Sequence, residues 1–119
     1  MKHRKIIAIL QGIPEDQILE VAEGLVDSGI TLLEVSMNGD TPLKHISTMV
    51  QHFGNRAIIG AGMVVATGQP YEVANLGGRF IFSPYTDPKV IKESIKLGMY
   101  SFPSCFSPTE CFSAIAQGT

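Results

Sequence analysis

One acidic residue interrupts an apolar run early in the chain, and its type and position could do chemistry. The run is 31–38, and the acid within it is Glu34. Gly29 precedes the run and Asn38-Gly39-Asp40 ends it, which is typical of a buried strand. Burial disfavours the charged form of a carboxyl group and raises its pKa, which suits a group that transfers protons. A solvated edge strand or a structural ion pair would explain the same residue without catalysis.

Further candidate residues stand where other apolar runs end. These positions are Gln11, Gly60-Ala61-Gly62-Met63, Ser83-Pro84 and Pro103. The glycines could let backbone approach a small ligand closely, although a structural tight turn would use them equally well. The full dinucleotide fingerprint is lacking, and no Gly-Lys-Ser/Thr follows, so a nucleotide-binding loop is not expected.

Five apolar runs alternate with five segments of helical periodicity. The predicted strands are 6–10, 31–38, 57–59 running into 60–63, 79–83 and 99–102. The predicted helices begin near Pro14, at Thr41-Pro42, near Pro70, at Asp87-Pro88 and at Ser107-Pro108, and they end at Gly29, Gly54, Gly77, Gly98 and Gly118. Proline in the first turn is compatible with a helix, and Ser107 with Glu110 forms a capping-box pattern. The acids Glu15 and Asp16 are expected in the first turn of the first helix.

Strands that alternate with helices over short loops form parallel βαβ units with right-handed crossovers. Such units fit an open, doubly wound sheet of the flavodoxin type. They equally fit an α/β barrel of the TIM type, of which 1–119 would hold about five of the eight βα units in a single domain. Both architectures place a site at the carboxyl ends of the strands, where the candidate residues fall.

Composition restricts the function classes. The chain has 119 residues, 45% of them hydrophobic and 17% charged, as in a globular domain. The net charge of −2 gives no general attraction to nucleic acid, and no apolar run approaches the roughly 20 residues of a membrane helix. The basic start resembles the opening of a signal peptide, but the apolar run after it stops at Gln11-Gly12 and no cleavage pattern follows. A secretory signal is therefore not expected, and a cytoplasmic protein is.

The cysteines and histidines show no metal-ligand spacing. Cys105 and Cys111 are too few for a disulfide framework, and both are expected to be buried free thiols. His3, His45 and His52 are expected on the solvated surface. No metal site is expected.

Five segments, taken together, resemble the marker segments of one family. They are Ile9-Leu10-Gln11-Gly12-Ile13, Leu33-Glu34-Val35-Ser36, Ile59-Gly60-Ala61-Gly62, Phe82-Ser83-Pro84, and Phe102-Pro103 followed by Ser107-Pro108-Thr109-Glu110. In order and spacing they are similar to the 2-keto-3-deoxy-6-phosphogluconate and 2-keto-3-deoxy-6-phosphogalactonate aldolases, the KDPG/KHG aldolases. No single segment is specific, but five in register are.

The resemblance implies a βα barrel, usually trimeric, and a class I aldolase mechanism without a cofactor. In such a mechanism a lysine forms a Schiff base with the keto group of a 2-keto-3-deoxy-6-phospho sugar acid, and a glutamate moves protons. Cleavage releases pyruvate and glyceraldehyde 3-phosphate. By resemblance, Glu34 matches the acid/base glutamate and Gly60-Ala61-Gly62 matches the strand end lining the pyruvyl pocket. Ser83-Pro84 and Pro103 match neighbouring positions on the rim.

The sequence also departs from the family pattern. Gln11 stands where sugar-acid members often carry an arginine, Met63 replaces the usual threonine, and Ser104 replaces a glycine. The family's Schiff-base lysine lies on a sixth strand, which would begin just after Gly118-Thr119. The lysines of this chain are predicted in the N-terminal tail or in helices: Lys2, Lys5, Lys44, Lys89, Lys92 and Lys96. The chain alone is therefore expected to be inactive, and the alternative is a non-catalytic domain that binds small anions at helix starts such as Ser107-Pro108-Thr109.

Overall fold

The computed structural model describes residues 3–119 and contains one parallel sheet backed by helices. The strands are β1 (Ile7–Leu10), β2 (Leu32–Ser36), β3 (Ile58–Gly62), β4 (Phe80–Ser83) and β5 (Tyr100–Pro103). The α-helices are α1 (Ile18–Asp27), α2 (Pro42–Phe53), α3 (Gln69–Asn75), α4 (Pro88–Lys96) and α5 (Pro108–Ala116), and a 3₁₀ turn, Gly54–Arg56, follows α2. None of the helices within 3–119 has the length and apolar character needed to cross a membrane.

The order of the strands decides between the two predicted architectures. The sheet runs β1-β2-β3-β4-β5, and each strand pairs in parallel with the next one along the chain. In a flavodoxin-type sheet the order of the strands reverses at a switch point, whereas in the wall of a (β/α) barrel the strands keep their sequence order. The barrel-type prediction is confirmed for this part of the chain, and the doubly wound alternative is wrong.

The core lies between the sheet and its helices. Leu33 and Val35 of β2 are buried against this layer together with Ile46 and Met49 of α2. Because side chains of a strand alternate between faces, the residues between them point to the opposite face, here called the inner face. Each fully buried aliphatic side chain of this core contributes about 1.5–3 kcal/mol relative to exposure, which fixes the register of the strands.

The start of α1 differs from the prediction. The helix begins at Ile18, and Pro14 opens a turn in which its carbonyl accepts a hydrogen bond from the Gln17 amide at 3.0 Å. Glu15 and Asp16 therefore lie before the helix, and Glu15 pairs with Lys44 of α2 instead. Thr41 precedes α2 as predicted, but its side chain makes no capping hydrogen bond.

The capping signals of the last two helices are confirmed. The Asp87 carboxylate accepts a hydrogen bond from the Lys89 amide at 2.8 Å. At α5 the Ser107 hydroxyl accepts from the Glu110 amide at 3.3 Å, and the Glu110 carboxylate accepts from the Ser107 amide at 2.8 Å. These bonds satisfy amides that a helix start leaves without partners.

Several burial predictions are wrong. Cys105 is half-buried and Cys111 is exposed, because they lie on a loop and on the uncovered side of α5. His3 is half-buried and bonds through Nδ1 to the Thr31 hydroxyl at 2.6 Å. His45 is half-buried as well, and its Nε2 is shielded from solvent without a hydrogen-bond partner in the described part of the chain.

Candidate functional site

Glu34 lies at the centre of β2 and faces inward. It is the third of five strand residues, so it stands short of the strand's carboxyl end, where the sequence had suggested it. Its register partners are Ile9 of β1 and Gly60 of β3. Only 2% of Glu34 is exposed, although Ile9 beside it is 62% exposed. The carboxyl group is therefore enclosed by its own sheet, although the inner face beside it on β1 is open.

Two glycines of β3 make the space beside this carboxyl group. A Cβ atom at Gly62 would collide with Oε1 of Glu34 and would lie 2.8 Å from the Cβ of Phe82. A Cβ atom at Gly60 would overlap the ring of Phe80. Ala61, between the glycines, is fully buried on the helix side. The Gly-Ala-Gly pattern thus has a steric cause, since only glycine fits at its two inward positions.

The environment of Glu34 favours its neutral form. Within 3–119, Oε2 of Glu34 is buried and has no hydrogen-bond partner, and no salt bridge reaches the residue. Burial raises the pKa of Glu34 above its ordinary value. The exposed-edge and ion-pair explanations of this residue are therefore wrong for the described structure. A buried carboxyl group with a raised pKa holds its proton more strongly than an exposed one, which suits it to accept a proton and later to donate it.

An aromatic wall, formed by Phe80, Phe82 and Phe102, continues the inner face beyond the glycines. The rings of Phe82 and Phe102 are stacked, with centroids 5.3 Å apart, and Phe80 meets Phe102 edge-on at 5.9 Å. Such a surface excludes water and lowers the local dielectric, which strengthens the effect of burial on the nearby carboxyl group. The sequence patterns did not indicate this wall, although the alternation of Phe80 and Phe82 with Ile81 could have revealed it.

Backbone hydrogen bonds hold the strand ends in one rim. The Met37 amide donates to the Gly62 carbonyl at 2.6 Å, and the Val64 amide donates to the Phe82 carbonyl at 2.8 Å. The Ser104 amide likewise donates to the Ser83 carbonyl at 2.9 Å. The ladder therefore continues past the assigned strand ends and aligns the first residues of successive loops.

The predicted rim residues do not all face the same way. Gln11 is exposed and, with Ser36 and Asn38, lines a cavity of about 560 Å³ between the first two βα loops. Met63, beyond β3, is 37% exposed. Ser83 is fully buried on the same strand face as Ile81, so its side chain lies on the helix side of the sheet. The two rim prolines, Pro84 and Pro103, are half-buried at the ends of β4 and β5.

The lysines that the structure describes lie away from Glu34. Lys5 precedes β1, and Lys44 is on α2 in its pair with Glu15. The remaining three, Lys89, Lys92 and Lys96, belong to α4. Lys2 lies outside the described residues. Within 3–119, no cluster of histidine, cysteine and acidic side chains has the composition of a metal site.

The chain as a whole matches a known family. A family model described as "Aldolase: KDPG and KHG aldolase" matches residues 1–119. The chain belongs to the KDPG/KHG aldolase family. The resemblance first noticed in the five sequence segments is thus confirmed.

Curated relatives of this KDPG/KHG aldolase chain carry aldolase names. A "Probable 2-dehydro-3-deoxy-6-phosphogalactonate aldolase" of Rhizobium meliloti (strain 1021) is 36% identical over 115 residues, which are 97% of this chain and 54% of that protein. A "2-dehydro-3-deoxy-6-phosphogalactonate aldolase" of Escherichia coli (strain K12) is 33% identical over 95% of this chain and 55% of its own length. The chain thus spans about half the length of the curated relatives it matches.

Solved structures of the same family superpose on the whole sheet. A structure described as native KDPGal is 31% identical, with a TM-score of 0.95 over 100% of this chain and 58% of that one. A KDPG aldolase from Legionella pneumophila is 26% identical, with a TM-score of 0.86 over 95% of this chain and 54% of that one. The Legionella structure is described as holding pyruvate, captured at low pH as a covalent carbinolamine intermediate.

Proposed function

We propose that this chain supplies the acid/base half of a class I aldolase. In the whole protein, a 2-keto-3-deoxy-6-phospho sugar acid would be cleaved to pyruvate and glyceraldehyde 3-phosphate. The observation that carries the proposal is the carboxyl group of Glu34, which is buried on the inner face without a partner among the described residues. The names of the Rhizobium and Escherichia relatives support the substrate class.

The proposed reaction begins at a lysine on a strand beyond the five described here. Its amine adds to the keto carbon and, after loss of water, leaves an iminium that withdraws electrons from the adjoining carbon–carbon bond. Glu34 removes the hydroxyl proton as that bond breaks, and a proton is then returned to the enamine carbon. Hydrolysis releases pyruvate. The raised pKa of Glu34 suits both transfers, because a carboxylate with a raised pKa is a stronger base than an ordinary one and takes a proton back more readily.

The rim residues receive supporting roles in this proposal. Gly60 and Gly62 line the pyruvyl end of the pocket next to Glu34, and Ala61, whose side chain lies on the helix side, would contribute only its backbone. Met63 borders the pocket without offering a hydroxyl, and Gln11 offers a neutral amide at its entrance. Three further residues at the ends of β4 and β5 complete the proposed substrate-binding rim: Ser83, Pro84 and Pro103. Since the side chain of Ser83 lies on the helix side, its contribution would come from the backbone.

The whole protein is also proposed to be a homo-oligomer, usually a trimer in this family. A designed cage described as a fusion of symmetric oligomeric domains contains a related chain that is 33% identical over 95% of this one, which supports oligomer formation. Light scattering of the whole protein tests this. The cytoplasmic location and the single domain over 1–119 stay predictions.

The start of α5, where the alternative function would bind a small anion, is already occupied by a carboxylate of the chain itself. At the start of α5, the Glu110 carboxylate already accepts hydrogen bonds from the Phe106 amide at 3.0 Å and from the Ser107 amide and hydroxyl at 2.8 Å. These contacts lower the pKa of Glu110, so the carboxylate is ionised at neutral pH and repels a second anion. No observation favours this second function over the aldolase.

A hybrid barrel tests the proposed function. We join this chain to the part of the Rhizobium relative that follows the matched segment, and we measure pyruvate release together with borohydride trapping of bound pyruvate. The hybrid should cleave substrate. Glu34→Gln should lower kcat about 10²–10⁴-fold, because the proton-transfer group is lost. Trapping of pyruvate at equilibrium should persist in this variant, since the lysine is intact.

Glu20→Gln is the matched control, because Glu20 is an exposed glutamate of α1. It should leave the rate of the hybrid unchanged. A folded hybrid that neither traps pyruvate nor cleaves substrate would contradict the proposal, as would full activity of Glu34→Gln. Trapping on the 119-residue chain alone would instead assign the Schiff base to one of its own lysines.

A further inference from the structure

Ser36 shares the inner face of β2 with Glu34. Side chains of a strand alternate between faces, so Glu34 and Ser36 point inward, while Val35 between them is buried on the helix side. Ser36 is the last residue of β2, and its register partner on β3 is Gly62. Only 7% of Ser36 is exposed. Its side chain therefore lies at the carboxyl end of the inner face, in the row of the sheet just beyond Glu34.

The carboxyl group of Glu34 leans toward this row. The register partner of Glu34 is Gly60, yet a Cβ atom at Gly62 would collide with Oε1 of Glu34. Neighbouring strands lie about 4.8 Å apart, so the Cβ atom of Ser36 stands roughly 7 Å or less from this carboxyl oxygen. One oxygen atom of a ligand fits between two polar groups at such a separation, because each hydrogen bond to it spans about 2.7–2.8 Å.

The hydroxyl group of Ser36 has a proton available for a ligand. Its oxygen accepts a hydrogen bond from the Asn38 amide at 3.3 Å. A serine hydroxyl can donate one hydrogen bond in addition to those it accepts. None of the hydrogen bonds that the structure describes within 3–119 uses this proton. The backbone therefore holds the hydroxyl group as an acceptor and leaves it free to donate.

Ser36 is the polar inner-face residue nearest to Glu34. The other inward residues of the five strands are aliphatic, glycine or phenylalanine, with the exception of Tyr100. Tyr100 begins β5, which is three strands away from β2 in the sheet. Ser36 also lines the cavity of about 560 Å³ between the first two βα loops, so open space adjoins it at the strand end.

We propose that Ser36 is a further catalytic residue, whose hydroxyl group donates a hydrogen bond to the substrate hydroxyl oxygen that Glu34 deprotonates. This role rests on the proposed function. As the O–H bond breaks, its proton passes to the Glu34 carboxylate and its electron pair forms the new carbonyl bond. The electrons of the broken carbon–carbon bond move into the iminium, which becomes the enamine. The substrate oxygen carries partial negative charge during this step, and Ser36, which keeps its own proton, stabilises that charge more than it stabilises the bound substrate.

The hybrid barrel separates this role from that of Glu34. Pyruvate has no hydroxyl group on its methyl carbon, so borohydride trapping and exchange of the methyl protons with deuterium from solvent should not need Ser36. Ser36→Ala should lower kcat for cleavage about 10²-fold, because a donor to the developing charge is lost, and should leave trapping and exchange unchanged. Ser36→Thr keeps the hydroxyl group and should retain most of the cleavage rate. Ser36→Cys is close to serine in size but is a weak donor, so it should lose part of that rate, and it replaces the alanine variant if that variant does not fold.

Ser113→Ala is the matched control, because Ser113 is an exposed serine of α5, and it should change none of the three reactions. Equal kcat for cleavage in the parent hybrid and in Ser36→Ala would overturn this inference and leave the proposed function in place. A parallel loss of exchange and cleavage in Ser36→Ala would overturn it too, because Ser36 would then act only by holding Glu34 or the strand end. A folded parent hybrid without trapping, exchange or cleavage would contradict the proposed function itself, and this inference with it.

Discussion

Gly62 of β3 leaves open the space that the carboxyl group of Glu34 occupies on the neighbouring strand. The two residues lie in adjacent strands, and a Cβ atom at position 62 would collide with Oε1 of Glu34. The enclosure of the carboxyl group, and with it the raised pKa, therefore depends on the absence of a side chain at Gly62.

Gly62→Ala is expected to destabilise the chain by about 1–3 kcal/mol, because the new methyl group overpacks a space bounded by Glu34 and the Cβ of Phe82. Urea unfolding measures the change. Gly24→Ala is the control, since Gly24 is on α1 with no atom within 4 Å of an added Cβ. It should stabilise the chain by up to about 1 kcal/mol through helix propensity. Equal effects of the two variants would contradict the steric account.

Glu34 could be singled out from the sequence as a candidate site residue, because a lone charge in an apolar strand is costly. Its partner Gly62 was predictable only as a glycine at a strand end. The contact between the two requires the register of β2 with β3, which no local pattern specifies. The aromatic wall was missed for a related reason: Phe80 and Phe82 were included in an apolar run without being assigned to a face.

The elements themselves were predicted well where proline and a capping residue coincide, as at Asp87-Pro88 and Ser107-Pro108. The start of α1 was misplaced because Pro14 favours a turn as readily as a first helical turn. The choice between barrel and doubly wound sheet was open because both use the same βαβ unit. Only the order of strands in the sheet separates them.

The titration of Glu34 should make the free energy of unfolding fall as pH rises, which is the opposite of the effect of a carboxyl group with a lowered pKa. Its pKa is raised in the folded state, so the folded chain binds a proton more strongly than the unfolded chain. The resulting stabilisation is complete below the unfolded pKa, near 4.5, and is lost as pH rises through the folded pKa. Between the two, this group should lower the free energy of unfolding by up to about 1.4 kcal/mol per pH unit.

Urea unfolding of the parent chain and of Glu34→Gln, across pH 4 to about 8, checks this sign. The difference between the two is the relevant quantity, because Glu15, Glu23 and Glu110 have lowered pKa values and contribute with the opposite sign. The glutamine variant should gain relative stability as pH rises. A difference that stays constant with pH would show that Glu34 titrates normally.

Phe102 should contribute to stability through its ring contacts. It stacks on Phe82 and meets Phe80 edge-on, but 39% of it remains exposed. Phe102→Ala should therefore cost about 1–3 kcal/mol, less than the 3–5 kcal/mol typical of a fully buried ring. Phe106→Ala is the control, because Phe106 is 99% exposed and should change the free energy of unfolding by less than about 0.5 kcal/mol.

The edges of the sheet should make the 119-residue chain self-associate. β1 and β5 each have one neighbour in the described sheet, and their inward residues Ile9 and Tyr100 are 62% and 67% exposed. Unpaired edges that carry apolar side chains favour pairing with another chain. Sedimentation velocity should therefore detect dimers or larger species that increase with concentration.

A charge on the edge opposes strand pairing, so Ile9→Lys should shift the distribution toward monomer. Val21→Lys is the control, because it places the same charge at an exposed position of α1, and it should leave the distribution unchanged. A monomeric parent chain at every concentration would contradict this expectation.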